Sequence, residues 1–161
     1  MNQGYISQTV NDVVGKQEDN IEQDSEGNVL CVGVYEGDII FVEIDREVDE
    51  ENLLELPGGG IEDNESAEEA ALREFEEETG YEPTSAELLG SAYRDTKNDD
   101  QRYFFWVDDF ESTDAEAGGG EEEVLEIPEN DVVQSIMEGP VAGWNFAPLA
   151  LAQNEGYIDI F

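Results

Sequence analysis

The stretch LPGGGIEDNESAEEAALREFEEETGY, residues Leu56–Tyr81, decides how the rest of the chain is read. It passes from a proline and three glycines into a segment where Ala67, Ala70, Ala71 and Phe75 recur at helical spacing. Ser66 with Glu69 has the form of a capping box, and Gly80 is a C-terminal stop signal. A helix is therefore predicted from near Ser66 to Gly80. Positions i, i+3 and i+4 are neighbours on a helix, so Glu74, Glu77 and Glu78 fall within an arc of about 100°. They continue the small apolar stripe, whereas Glu69, Arg73 and Glu76 are expected on the solvated side.

Like charges crowded at the edge of a buried stripe raise one another's pKa and oppose folding unless a cation offsets them. Hard divalent ions fit that need, because Mg²⁺ takes oxygen ligands and binds through a few carboxylates together with substrate phosphates. The competing reading is simply a charged helix in a very acidic protein, since acid enrichment inflates any acidic motif.

That enrichment is large: 43 Asp and Glu oppose 6 Lys and Arg among 161 residues, for a formal net charge of −37. Self-repulsion on this scale favours expansion in dilute buffer. The runs VLCVGVY, DIIFVEI and RYFFWV oppose it, because they supply a core for one domain over residues 1–161. At about 1 M salt the Debye length is roughly 3 Å, which screens surface carboxylates. A protein adapted to very salty cytoplasm is the expectation. Without a basic stripe to displace counterions, binding to a nucleic acid duplex is not expected. Cys31 lies alone in an apolar run and suggests a reducing compartment. No run is long enough to span a membrane, and residues 1–14 lack a basic region and a long apolar stretch, so a cytoplasmic protein is expected. The absence of His excludes a His-based triad or an imidazole metal site.

Outside the helix, Val29–Tyr35 and Asp38–Asp45 read as strands joined by a tight turn at Glu36-Gly37. Tyr5–Val14 is a weaker strand candidate, and Leu53–Leu56 a short extended piece leading to the glycines. Ala86–Tyr93 and Arg102–Phe110 are predicted strands joined by DTKNDDQ, followed by the loop STDAEAGGGEEE. Val124–Ile127 resumes an extended pattern that Pro128 interrupts, and helices are predicted at Glu129–Glu138 and Asn145–Asn154. This order suits an α+β fold, an α/β/α sandwich around a mixed sheet.

Gly59, five residues, Glu65, seven residues, then Arg73-Glu74-Phe75-x-Glu77-Glu78-x-Gly80-Tyr81 is a complete match to the Nudix box. In these residues the chain resembles the Nudix hydrolase family. The resemblance implies a loop–helix–loop in which Glu74, Glu77 and Glu78 ligate Mg²⁺ or Mn²⁺. It implies the Gly59 carbonyl as a further ligand, and a Glu65–Arg73 pair that stabilises the loop. Glycines at Gly58, Gly59 and Gly60 would allow the backbone to approach metal or phosphate closely.

The implied chemistry is attack of water on a diphosphate. In relatives a general base often comes from a loop across the site, which makes Glu121, Glu122 and Glu123 candidates; a plain acidic loop is the alternative reading. ELPGGGIE preceded by IDREV is similar to ADP-ribose pyrophosphatases, as is the run GGGEEEVLEIPENDVVQSIMEG. Pro57-Gly58-Gly59 departs from the Pro-Ala-Gly common there, and the N-terminal portion is short for a swapped-strand dimer, although a homodimer stays open. The implied substrate is a small nucleoside diphosphate linked to another moiety, such as ADP-ribose. Arg46 and Arg73 are candidate substrate contacts, and Tyr93, Phe105, Trp106 or Trp144 a stacking partner for a base, with a core role as the alternative for each aromatic. For Arg94 and Arg102, a surface ion pair stands beside a substrate contact. A Nudix-fold sensor that binds a nucleotide without turnover is the alternative function, and an acidic interaction protein with an accidental match is a third.

Overall fold

Residues 27–35 alternate between two destinations, and that alternation sets the architecture. The structure, a computed structural model, describes residues 27–46, 51–93, 101–113 and 123–161. In β1 (Gly27–Tyr35), Leu30 and Val32 enter one apolar cluster, whereas Val29 and Cys31 enter another, as the two-residue period of a strand requires. The split repeats in β2 (Asp38–Arg46), with Ile39 and Phe41 on the first side and Ile40 on the second. In β6 (Gln101–Thr113), Phe104 faces the first cluster and Tyr103, Phe105 and Val107 the second. Strands covered on both faces read as near-continuous apolar runs, which is how these segments look in the sequence.

Helices close the two sides. Helix α1 (Ala67–Thr79) covers the second cluster with Ala67, Ala70, Ala71 and Phe75. Helices α2 (Glu129–Glu138) and α3 (Phe146–Glu155) cover the first with Val132, Leu149, Leu151 and Ala152. The remaining strands are β3 (Glu51–Glu55), β4 (Gly58–Gly60), β5 (Tyr81–Tyr93) and β7 (Glu123–Pro128). The sheet path is β3-β2-β1-β6-β5, with β4 added on β1 and β7 on β2. Only the β1–β6 pairing among these is parallel, with Cys31 opposite Phe105. The sheet is therefore mixed, and the α/β/α sandwich expected from the element order is the fold.

The turn at Glu36-Gly37 places both residues at positive φ, 53° and 95°, as a two-residue hairpin turn requires. Two expectations are corrected. Gly58–Gly60, where the implied loop opens, pair with β1 as a short strand, with Val29 opposite Gly59. Strand β5 begins at Tyr81 rather than Ala86, because a register shift between Glu82 and Pro83 lets the proline sit in the strand without donating to the ladder. Opposite it lies Phe110, and Glu111 is the extra residue of β6 that the shift leaves unpaired, while Asp109, next along β6, takes φ 56°. Pro128 ends the strand, as expected, and occupies the N-cap of the helix. The expected strand at Tyr5–Val14, residues 95–100 of the DTKNDDQ turn and residues 114–122 of the acidic loop lie outside the described residues. No helix among the described residues is long and apolar enough to cross a membrane.

Candidate functional site

The glycine segment is fastened to the sheet before it meets the helix. The Cys31 N–H donates to the Pro57 carbonyl at 2.8 Å and the Ile61 N–H to the Gly27 carbonyl at 3.0 Å, holding β4 against β1. Upstream, the side chain of Asn145 accepts from the Leu56 N–H and donates to the Leu54 carbonyl, both at 3.0 Å. Asn145 is fully buried, so it satisfies two backbone groups at the point where β3 turns toward the glycines. Sequence reading assigned it only to a helix start; its one signal was a lone amide inside the apolar run GWNFAPLALA.

Helix α1 starts and stops where its signals lie. Ser66 and Glu69 form the reciprocal capping box, with the Ser66 N–H donating to Glu69 at 2.8 Å and the Glu69 N–H to the Ser66 hydroxyl at 3.2 Å. Gly80 ends the helix in the left-handed region at φ 71°. Phe75 anchors the inner face, its ring 5.8 Å from that of Phe110. Gly33 leaves the room: a side chain there would strike the Phe75 ring.

With both parts fixed, the loop meets the helix through carboxylates. The Gly58 N–H donates to Glu78 Oε2 at 2.9 Å. Any side chain at Gly59 would collide with the carboxylate of Glu74, so backbone and carboxylate are in close contact there. The three glycines thus have different reasons. Gly58 is required by the neighbouring β1 backbone at Val29 and Gly59 by Glu74, while the space beside Gly60 is open. Of the three backbone N–H groups, that of Gly58 is engaged by Glu78.

Arg73 is not on the solvated side, where helical spacing alone would put it. Its Nε and Nη2 grip Glu65 at 2.7 and 2.8 Å, Nη2 also donates to the Gly60 carbonyl at 2.9 Å, and the side chain is 23% exposed. The long stem carries the guanidinium back across the helix to the loop. Glu65 in turn accepts from the Glu62 N–H at 3.0 Å, which closes the loop between β4 and α1. The hydrogen-bonded Arg73 guanidinium holds the Glu65 carboxyl below the usual carboxylate range, and Glu65 holds Arg73 protonated far above neutrality. Arg73 Nη1 reaches Glu74 at 2.8 Å and Glu77 at 3.3 Å.

The three helix glutamates differ in setting. Glu77 is 61% exposed, whereas Glu74 is 15% exposed. Burial, with the negative charges of Glu78 and Glu74 adding to it, pushes the Cys31 thiol far up. Its Sγ–H donates to the Ala71 carbonyl at 3.6 Å, and Cys31 is the buried small hydrophobe that its apolar run suggests. Among the described residues no three acidic or thiol side chains converge in metal-binding geometry: Glu74 and Glu77 turn to Arg73, and Glu78 to Gly58. The donor set nevertheless fits a hard divalent ion, being all oxygen, with a glycine backbone pressed against one of its carboxylates.

The other candidates divide. Arg46 ends β2 opposite Glu51, with its side chain outside the described residues. Glu121, Glu122 and Arg94 lie outside the described residues altogether, and Glu123 opens β7. Phe105 is a core residue. Trp106 stacks on Tyr157 with centroids 4.6 Å apart, and Arg102 lies over the ring of Trp144 at 4.9 Å, so both tryptophans already have partners. Tyr93 is exposed. A contact that the sequence does not announce joins the helix end to β7: the hydroxyl of buried Tyr81 donates to Glu126.

Comparison with known proteins agrees with this geometry. Over 53 residues the chain is 47% identical to the putative 8-oxo-dGTP diphosphatase of Bacillus subtilis (strain 168), covering 33% of this chain and 36% of that protein. Over 46 residues it is 50% identical to the ADP-ribose pyrophosphatase of the same organism (29% and 25% covered). Over 34 residues it is 68% identical to the ADP-sugar pyrophosphatase of Mus musculus (21% and 16% covered). The chain thus spans at most 36% of the length of these relatives. It superposes on the crystal structure of an ADP compounds hydrolase with a TM-score of 0.65 at 18% identity, over 84% of this chain and 76% of that one. On the solution structure of the E. coli ORF135 protein the TM-score is 0.62 at 23% identity, over 83% and 94%. At such identities the superpositions speak for the fold alone. Residues 25–147 match the NUDIX domain, from the first described strand through the glycine loop and its helix to the start of α3, and the chain belongs to that family.

Proposed function

We propose that the chain hydrolyses the diphosphate linkage of a nucleoside diphosphate joined to another moiety, with ADP-ribose and related nucleotide sugars as the substrate class. The observation that carries this reading is the apposition of loop and helix, where Gly59 lies against Glu74 and Gly58 is hooked to Glu78. Glu74, Glu77 and Glu78, with the Gly59 carbonyl, would hold Mg²⁺ or Mn²⁺ at that seam. When bound, the ion supplies charge compensation for the diphosphate oxygens and acidifies the attacking water. Glu121 or Glu122, just ahead of β7, is assigned as the base that takes the proton of that water. Arg46 and the Gly59-Gly60 backbone are assigned to diphosphate binding. Arg73 contributes by fixing the loop through Glu65 and Gly60. The work expected of the chain is mainly positioning, which suits cleavage of a phosphate anhydride.

A second substrate class has support of its own, because one of the relatives is named a putative 8-oxo-dGTP diphosphatase. One assay in high KCl separates the readings: ADP-ribose, other nucleotide sugars, NADH, dinucleoside polyphosphates and 8-oxo-dGTP, each with and without Mg²⁺. AMP from ADP-ribose supports the first; a nucleoside monophosphate with pyrophosphate from 8-oxo-dGTP supports the second. Binding without products in any arm would favour a sensor. Glu77→Gln should abolish turnover with its fold intact, and wild-type rates in that variant would remove Glu77 from the site.

A further inference from the structure

We propose that Arg73 is a resident counter-cation for Glu74 and Glu77, and that its Nη1 contacts and a divalent ion on those carboxylates exclude one another. The inference rests on the metal-site reading above and concerns what the chain does before an ion arrives.

A guanidinium carries five N–H donors in a rigid planar fork, and here all five have acceptors. Nε and one Nη2 hydrogen take the two oxygens of Glu65, and the other Nη2 hydrogen takes the Gly60 carbonyl. The two Nη1 hydrogens take Glu74 Oε1 and Glu77 Oε2. One planar group therefore has a structural edge turned to the loop and a second edge turned to two of the three box carboxylates. The structural edge is held by a two-point carboxylate pair and a backbone oxygen, so it stays. Only the Nη1 edge can yield.

A divalent ion taken by the same oxygen of Glu74 would stand within a few ångström of the guanidinium carbon, where like charges in a partly buried site repel strongly. On this proposal Glu74 and Glu77 turn off Nη1 as the ion is taken up. In the ion-free protein the same contacts relieve the repulsion between the two carboxylates. With 6 Lys and Arg in the chain against 43 acids, a cation at this place is a large local term. Arg73 is thus a positioning residue with two states.

Nitrogen-15 NMR of the wild-type protein during a Mg²⁺ titration tests this directly. The Arg73 Nη1 hydrogens should lose their protection from exchange at saturation while the Nε–H facing Glu65 keeps it. Unchanged protection of the Nη1 hydrogens at saturating Mg²⁺ would overturn the proposal. As a second measurement, Mn²⁺ affinity is read by electron paramagnetic resonance for wild type, Glu77→Gln and Arg73→Lys. Lysine keeps one charge for Glu65 but lacks the fork that spans to Glu74 and Glu77. Its Mn²⁺ affinity should rise about tenfold, the equivalent of one charge-assisted hydrogen bond that no longer has to be broken. An affinity equal to or below wild type counts against the proposal. Glu77→Gln separates the two layers: if it binds Mn²⁺ as well as wild type does, the metal-site reading itself fails. If it binds more weakly while Arg73→Lys is unaltered, only the role of Arg73 falls.

Discussion

Gly58, Gly59 and Gly60 form one repeated letter in the sequence and three different positions in the fold. A Cβ at Gly58 meets the β1 backbone, one at Gly59 meets Glu74, and one at Gly60 meets nothing. Alanine substitutions should separate them in thermal unfolding, with Gly60→Ala within about 0.5 kcal/mol of wild type and Gly58→Ala about 1–3 kcal/mol less stable. Gly59→Ala should lose a similar amount and also weaken Mn²⁺ binding roughly 10–100-fold, because the displaced carboxylate is a proposed ligand. Three equal effects would contradict this division. Glu65 allows a prediction with pH. Its carboxyl titrates lower folded than unfolded because Arg73 bonds the charged form, so its stabilisation is complete above the unfolded value of about 4.3 and is lost as pH falls through the folded value. Urea midpoints of wild type and Glu65→Gln should differ most above that unfolded value and converge in acid.

At the level of elements, α1 was the most legible part of the chain. Its capping box, its apolar spacing and its terminal glycine all act locally, and each is found where the sequence puts it. The direction of Arg73 was not legible, because a helical wheel places Cα atoms whereas a long side chain follows its partners, here Glu65 and the Gly60 carbonyl. Strand β5 was read five residues short for a related reason: Pro83 breaks a local pattern, and only the bulge at Glu111 of β6 makes room for it. Between elements, Asn145 ties α3 to the β3 end through the Leu56 N–H and the Leu54 carbonyl. Asn145→Leu leaves both backbone groups unpaired, at about 1–3 kcal/mol each, and should lower the denaturant midpoint accordingly. A midpoint within 0.5 kcal/mol of wild type, roughly the scatter of a surface change, would show that the clamp is dispensable.

For the whole molecule the dominant quantity is charge. A formal net charge of −37 acts against compaction everywhere at once, while the two apolar clusters on either side of the sheet oppose it. Because surface repulsion is screened within roughly 3 Å at about 1 M salt, the unfolding midpoint should rise steadily across a KCl series. A maximum in low salt would show that packing, not repulsion, limits stability. If the proposed site takes up Mn²⁺, the ion should add to stability at every salt concentration, because a site assembled by folding is absent from the unfolded chain.

Sequence alone was sufficient for what depends on neighbours along the chain: the strand runs, the capped helix, the spacing of Glu74, Glu77 and Glu78, and through them the fold and the family. Tertiary structure decided what depends on groups far apart in number. It set which face each strand residue takes, why Gly58 and Gly59 must be glycine, and where Arg73 turns. Spacing reports local periodicity; close approach of backbone to carboxylate, and the choice of partner for a long charged side chain, exist only once the elements have packed together.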